Sequence, residues 1–173
     1  MHRPFFRQRG RVRSGDFMER EPEISIRLFS DPQLLAPIRA LMDAFAKGVG
    51  FSEKTRGLLT LALDEALANV IRHGYEERKE GLIWINFWRL REPGGIRVVL
   101  EDLGRSVDPA LIQSRNLDDV RPGGLGVHII KETMSESSWE SRPGGGMRLT
   151  LVKWLSEEER QQSAQSQSEN TRP

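Results

Sequence analysis

LALDEALANVIRHGY, residues 61–75, spaces its apolar side chains as a helix does and sets three polar groups four residues apart. At about 100° per residue, Leu59, Leu63, Ala66, Leu67 and Val70 form one apolar stripe. Glu65, Asn69 and His73 stand at i, i+4 and i+8, so they line up along the helix. That row lies beside the stripe, next to Ala62, and not opposite it. A polar row at the margin of a core, with alanine leaving space, suits the wall of a pocket. An ordinary solvent face accounts equally well for a glutamate and an asparagine, so the helix alone leaves both readings open.

Outward from this helix the chain divides cleanly. Ser52 is placed to cap it, and the helix is expected to run to about Gly74. Before it, Asp31 caps a helix with Pro32 at its first position. That helix carries Leu34, Leu35, Ile38, Leu41, Met42 and Phe45 on one side and ends near Gly48 or Gly50. EISIRLF (23–29) alternates apolar and polar residues, as a half-buried strand does. GLIWINFWRLRE (81–92) and GIRVVLED (95–102) flank Pro93 and Gly94 and read as a hairpin. From Gly104 to Pro122 periodicity is weak, which predicts a loop with one short helical turn. GLGVHIIKETMSE (124–136) reads as a helix opening on glycines, and SSWES and MRLTLVKWL as a second hairpin. This order predicts an α/β fold: a two-layer sandwich of a mixed, mostly antiparallel sheet with helices on one face, over residues 23–155.

The bulk composition limits the function. With 173 residues the chain suits one compact domain, and 37% apolar residues suffice for a core. The absence of cysteine excludes disulfides and thiol chemistry. No apolar run approaches the roughly 18 residues of a membrane span, and the start lacks the apolar stretch of a secretory signal. A cytoplasmic location is expected. Net charge is +1, but residues 1–17 hold five arginines and one aspartate, leaving a mildly acidic remainder. Residues 1–22 therefore read as a basic, disordered extension and 156–173 as a disordered polar tail. An acidic domain argues against direct nucleic-acid binding.

Two glycine-bearing stretches favour the pocket. EDLGRSVDP (101–109) puts Asp102 where a strand ends, followed by Gly104. A carboxylate can accept a hydrogen bond from an amino group, and glycine lets a flat ring approach the backbone. RPGGLGVHII (121–130) puts Gly123, Gly124 and Gly126 at a helix N-terminus, where free N–H groups and the helix dipole favour phosphate. GGGMRLTL (144–151) adds a weaker third signal, since hairpin turns use glycine freely.

Taken in order, E-x-x-x-N-x-x-x-H-x-Y, D-x-G-x-x-x-D-P, G-G-L-G and G-G-x-R-L-T-L resemble the GHKL ATPase superfamily, and within it the anti-sigma-factor serine/threonine kinases. The resemblance implies ATP and Mg2+ as cofactors. It makes Asn69 the metal ligand through its amide oxygen and Glu65 the catalytic base for the attacking hydroxyl. Asp102 would accept the adenine amino group while Gly104 leaves room for the base. Asp108, Gly123, Gly124, Leu125 and Gly126 belong to the nucleotide boxes. Arg121 is a candidate partner for the terminal phosphate, in competition with Arg105 and Arg115. His73 and Tyr75 complete the first box, with contact or structural support both open. Thr150 could touch phosphate or fill a strand.

The same resemblance implies a protein that binds a sigma factor, phosphorylates an anti-anti-sigma (STAS-type) antagonist and forms a homodimer. A nucleotide-binding partner-switching module without kinase activity is the alternative. The catalytic half of a sensor histidine kinase is disfavoured, because the chain has no room for a helical dimerisation segment bearing an acceptor histidine.

Overall fold

The structure, a computed structural model, describes residues 20–112 and 125–169. Five strands make one sheet: β1 (Ile24–Phe29), β2 (Leu82–Leu90), β3 (Gly95–Asp102), β4 (Glu136–Ser141) and β5 (Met147–Trp154), in the order β1-β2-β3-β5-β4. Every pairing is antiparallel, so the expected mixed sheet is corrected. The reason is topological. The crossover after β3 brings β4 in parallel to β3, but the tight hairpin that follows returns β5 into the gap between them. The two parallel strands never become neighbours.

The register follows the two-residue side-chain period. Ile85 pairs with Ile26 and Leu100, and Leu100 pairs with Leu149. Phe87 pairs with Val98, which pairs with Leu151. All of these except the partly buried Ile26 are buried on one face, and a slip of one residue would turn every one of them to the other face.

That face is covered by α1 (Leu35–Val49), α2 (Glu53–Asn69) and α3 (Leu125–Thr133). α1 contributes Ile38, Met42, Phe45 and Ala46, and α2 contributes Leu59, Ala62, Leu63, Ala66 and Leu67. The rings of Phe45 and Phe87 meet at 5.4 Å, tilted by 60°. Asp31 caps a short 3-10 turn, Pro32–Leu34, that leads into α1. Gly50 ends α1 in the left-handed region at φ 106°, where a side chain would be strained. The Ser52 hydroxyl then accepts from the Thr55 N–H and starts α2.

The long helix differs from expectation in its last turn. Val70–Gly74 winds as a π-helix, so the chain turns more widely after Asn69. The predicted short turn in the loop is a 3-10 turn at Pro109–Leu111.

The C-terminal stretch also differs. Residues expected as a disordered tail form α4 (Glu157–Glu169). It has no apolar stripe, and its capping explains how it is held. The Ser156 hydroxyl accepts from the Glu159 N–H at 3.2 Å, and Glu159 accepts from the Ser156 N–H at 3.0 Å. The other Glu159 oxygen accepts from the Ser52 N–H at 3.0 Å, so one carboxylate caps both α4 and α2. Burial pushes this carboxyl upward, but the bonds from Ser156, Ser52 and the Thr55 hydroxyl prevail and hold it at about 2.

Because that value lies below the unfolded-state value of about 4.3, the stabilisation is complete above it and is lost as pH falls toward 2. Glu159→Gln is expected to lose about 1–3 kcal/mol at neutral pH. Denaturant unfolding at a series of pH values should show its deficit against the wild type shrinking below about pH 4.

Candidate nucleotide-binding site

Asn69 and His73 of the polar row on α2 border a cavity of about 320 Å³ between the helices and the sheet, whereas Glu65 is not part of its lining. Ala66, Asn69, Val70, His73 and Gly74 form one wall, from α2 and its π turn. Gly126, Val127 and Ile130 of α3 stand opposite, and Leu100, Asp102, Met147 and Leu149 line it from the sheet. Val107, Leu111 and Ile112 close one side. The wide turn after Asn69 is what brings His73 and Gly74 to this wall. Ala62, expected to leave space, is instead fully buried in the core, and Ala66 lines the opening.

Asp102 ends β3 with only 3% of its surface exposed. Its Oδ1 accepts from the Gly104 N–H at 2.7 Å, and the Met147 N–H also donates to the carboxylate. Burial pushes its pKa up; the two N–H groups and the positive charge of Arg142 oppose that and leave it raised. Two backbone donors fix the carboxylate while its accepting capacity toward the cavity remains, which suits recognition of an amino group.

Gly104 fits for a local reason. A Cβ there would lie 2.5 Å from the Gly74 carbonyl oxygen, and the neighbouring Arg105 N–H donates to that same oxygen at 2.8 Å. The two glycines thus fasten the end of α2 to the end of β3. Tyr75 serves the same junction: its hydroxyl donates to the Leu82 carbonyl and accepts from the Leu103 N–H at 2.8 Å. The alternative left open for Tyr75 is thereby decided as structural, whereas His73 lines the cavity.

A second group of polar side chains gathers around Gly126. A Cβ on Gly126 would lie 2.6 Å from Glu65 Oε2 and 3.3 Å from Asn69 Nδ2. The start of α3 therefore lies against two side chains of the α2 row, and a side chain at 126 would push the tip of Glu65 aside. Glu65 and Asn69 are half-buried there, a carboxylate and an amide beside the positive end of a helix dipole.

Other predicted residues lie elsewhere. Thr150 pairs with Val99 and Ser138 on the sheet face away from the helices, while its neighbour Leu149 lines the cavity. Strand alternation thus corrects its assignment to the nucleotide. Asp108 is exposed, and its carboxylate accepts from the Ala110 N–H as the cap of the turn at Pro109–Leu111. Leu125 is 58% exposed and is not part of the lining. Arg105 is exposed. Arg115, Arg121, Gly123 and Gly124 lie outside the described residues.

Sequence reasoning missed Trp139 and Met147, which line the cavity, and Arg142. Arg142 Nη1 donates to the Asp102 carbonyl at 2.6 Å and its Nε lies 3.5 Å from Glu101. Nothing in a hairpin loop marks an arginine for that work, because the contact spans 40 residues.

A buried aspartate in a cavity, and an amide with a carboxylate beside a helix N-terminus, fit a nucleotide-binding domain of the one-layer-sheet, one-layer-helix type. Residues 28–153 match the family described as histidine kinase-like ATPase domain, and the chain belongs to that family. Membership carries ATP binding.

Among curated relatives, a serine-protein kinase RsbW from Staphylococcus aureus is 26% identical over 81% of this chain and 91% of its own length. The RsbW serine-protein kinase of Bacillus subtilis is 25% identical over 78% and 87%. The serine/threonine-protein kinase BtrW of Bordetella bronchiseptica is 31% identical over 59% and 72%. Among solved structures, the SiaB–SiaC complex from Pseudomonas aeruginosa contains a chain that superposes with a TM-score of 0.60 at 15% identity, covering 80% of this chain and 93% of that one. The histidine kinase domain of a blue-light activated kinase from Erythrobacter litoralis gives a TM-score of 0.50 at 19% identity, over 74% and 62%.

An ionised Asp102 accepts from an amino group more strongly than a protonated one, so ATP affinity should fall as pH drops through its raised pKa. Fluorescent-nucleotide titration is expected to show this loss beginning at higher pH than for an ordinary aspartate. Asp102→Asn should bind about 10- to 100-fold more weakly, corresponding to one lost charged hydrogen bond, and should show no such loss on acidification.

Proposed function

We propose that the protein is an ATP-dependent serine/threonine kinase acting as an anti-sigma factor: it binds a sigma factor and phosphorylates an anti-anti-sigma antagonist of the STAS type. The observation that carries this reading is the meeting of Glu65, Asn69 and the Gly126 backbone at one point. Phosphoryl transfer asks for a proton acceptor, a hold on the metal and N–H groups toward phosphate, and these are the three groups present. The curated relatives whose names state protein kinase activity support it.

Asn69 offers a neutral, hard oxygen, and no group of three or more acidic, histidine or cysteine residues able to hold a metal stands among the described residues. That donor set fits Mg2+, which takes few protein ligands and completes its octahedron with phosphate oxygens and water. When bound, Mg·ATP supplies the phosphoryl group and neutralises its charge. Glu65 would take the proton of the acceptor hydroxyl, Asn69 would hold the metal, and Asp102 would hold the adenine ring. The apolar walls, Val70, Val127, Ile130 and Leu149 among them, exclude water from the reacting end.

The phosphorylated antagonist carries about two more negative charges and leaves, which frees the kinase for the sigma factor. The protein works in the cytoplasm as a homodimer. Among the described residues no helix is long and apolar enough to cross a membrane. The sheet face without helices, with the partly exposed Trp84 and Trp88, is the surface proposed for the second copy.

Labelled ATP with the STAS-type proteins encoded in the same genome tests the kinase. Glu65→Ala should cut transfer about 100- to 10,000-fold, as loss of a general base does, while ATP affinity stays within a few-fold. Regulation of the sigma factor that survives unchanged in Glu65→Ala would show instead a binding module that needs no chemistry. For the dimer, sedimentation should give twice the 19.7 kDa chain mass, and Trp84→Glu should shift the protein to monomer.

A further inference from the structure

Six large apolar side chains are exposed among the described residues, and three of them surround one carboxylate. Leu58 and Leu61 are each 43% exposed on α2, and Leu125 is 58% exposed beside Gly126. With 3.6 residues per turn, Leu58 and Leu61 flank the direction of Glu65 around the helix axis by about 20° and 40°; they lie about 10 and 6 Å from it along the axis. Leu125 approaches from the other side, because the next residue is the glycine that touches Glu65.

These leucines are not needed by the core, which α2 already fills with Leu59, Leu63 and Leu67. Beside them Gly57 meets nothing within 4 Å of where a Cβ would stand, and a shallow depression runs along Glu53, Lys54, Gly57, Leu58 and Leu61. Lys54 and Arg72 extend the same row at its two ends. Both are exposed, and neither pairs with an acid among the described residues.

From this geometry we infer that Leu58, Leu61 and Leu125 form the docking rim for the protein substrate, on a partner patch that is apolar at its centre and acidic at its edges. The inference rests on the kinase reading. A hydroxyl must come within about 3 Å of a half-buried carboxylate for its proton to be taken. A specific protein contact covers about 800 Å² on each partner, a disc of roughly 16 Å radius. A partner centred on Glu65 therefore covers both leucines of α2 and the first residue of α3. The fully buried centre of such a contact is its most apolar part, and apolar side chains there contribute by leaving water, while Lys54 and Arg72 meet acidic groups at its margin.

The test measures phosphate transfer from labelled ATP to the STAS-type proteins of the same genome, with acceptor concentration varied. The double variant Leu58→Ser/Leu61→Ser is expected to raise KM for the acceptor at least 10-fold. Its kcat should change less than twofold, and ATP affinity and melting temperature should stay those of the wild type. Leu61→Ala alone should show a smaller rise of the same kind, and Phe29→Ser, exposed elsewhere, should show none. An unchanged KM in the double variant overturns the docking rim while leaving the kinase standing. A change in sedimentation, or weakened sigma-factor binding with the acceptor KM intact, overturns it in favour of another occupant. Absence of transfer by the wild type to every acceptor overturns the kinase reading, and the rim with it.

Discussion

The burial of α2 on the antiparallel sheet is the constraint from which the site follows. Leu59, Leu63, Ala66 and Leu67 are removed from water almost completely, and each large side chain so buried contributes about 1.5–3 kcal/mol. That contact fixes the rotation of the helix about its axis. Once the rotation is fixed, Asn69 lines the cavity, Glu65 stands beside Gly126 and Leu61 points outward. None of these three is free to choose. A helix that rolled by one residue would carry the Glu65 carboxylate and the Asn69 amide away from Gly126 together.

The opposite end of the cavity is held differently. Asp102 is buried and charged, an arrangement that is unfavourable unless its environment is polar. Here the Gly104 and Met147 N–H groups donate to its carboxylate, and Arg142 grips its carbonyl. The β4–β5 hairpin is thus more than an edge of the sheet. Gly146, at φ 80°, packs directly against the Asp102 carbonyl, so the triple glycine serves close approach as well as turning. Asp102 and the outer hairpin are mechanically one unit, and Arg142 joins that unit to Glu101 and Trp84 on the far face of the sheet.

Two polar helix ends meet at Glu159. One carboxylate serves Ser156 and Ser52, so α4 is attached to the beginning of the same helix whose middle carries Glu65. Ser163, whose hydroxyl donates to the Gly50 carbonyl at 3.5 Å, adds a second tie at the α1–α2 corner. A polar helix with no apolar face is normally marginal in water, and capping shared with a buried neighbour is what orders it.

Much of this was legible in the chain itself. The period of Leu59, Leu63, Ala66 and Val70 determined the helix and its buried side, and the alternation in residues 23–29 and 81–102 determined the strands. The order of Glu65, Asn69, Asp102, Gly104 and Gly126 determined the kind of site, because each residue type carries its chemistry with it. Where sequence reading failed, the cause was either a distant partner or a local role that competed with the expected one. Strand pairing across the crossover decided that the sheet is wholly antiparallel. Strand alternation within the tertiary fold turned Thr150 away from the cavity. Asp108 was drawn into capping its own turn. Ser156 and Glu159 did spell a capping box, yet only the neighbouring N-terminus of α2 made a helix of that polar stretch. Local periodicity is written into neighbours along the chain, whereas the partners of Arg142, Glu159 and Trp139 lie many residues away and are chosen by packing alone.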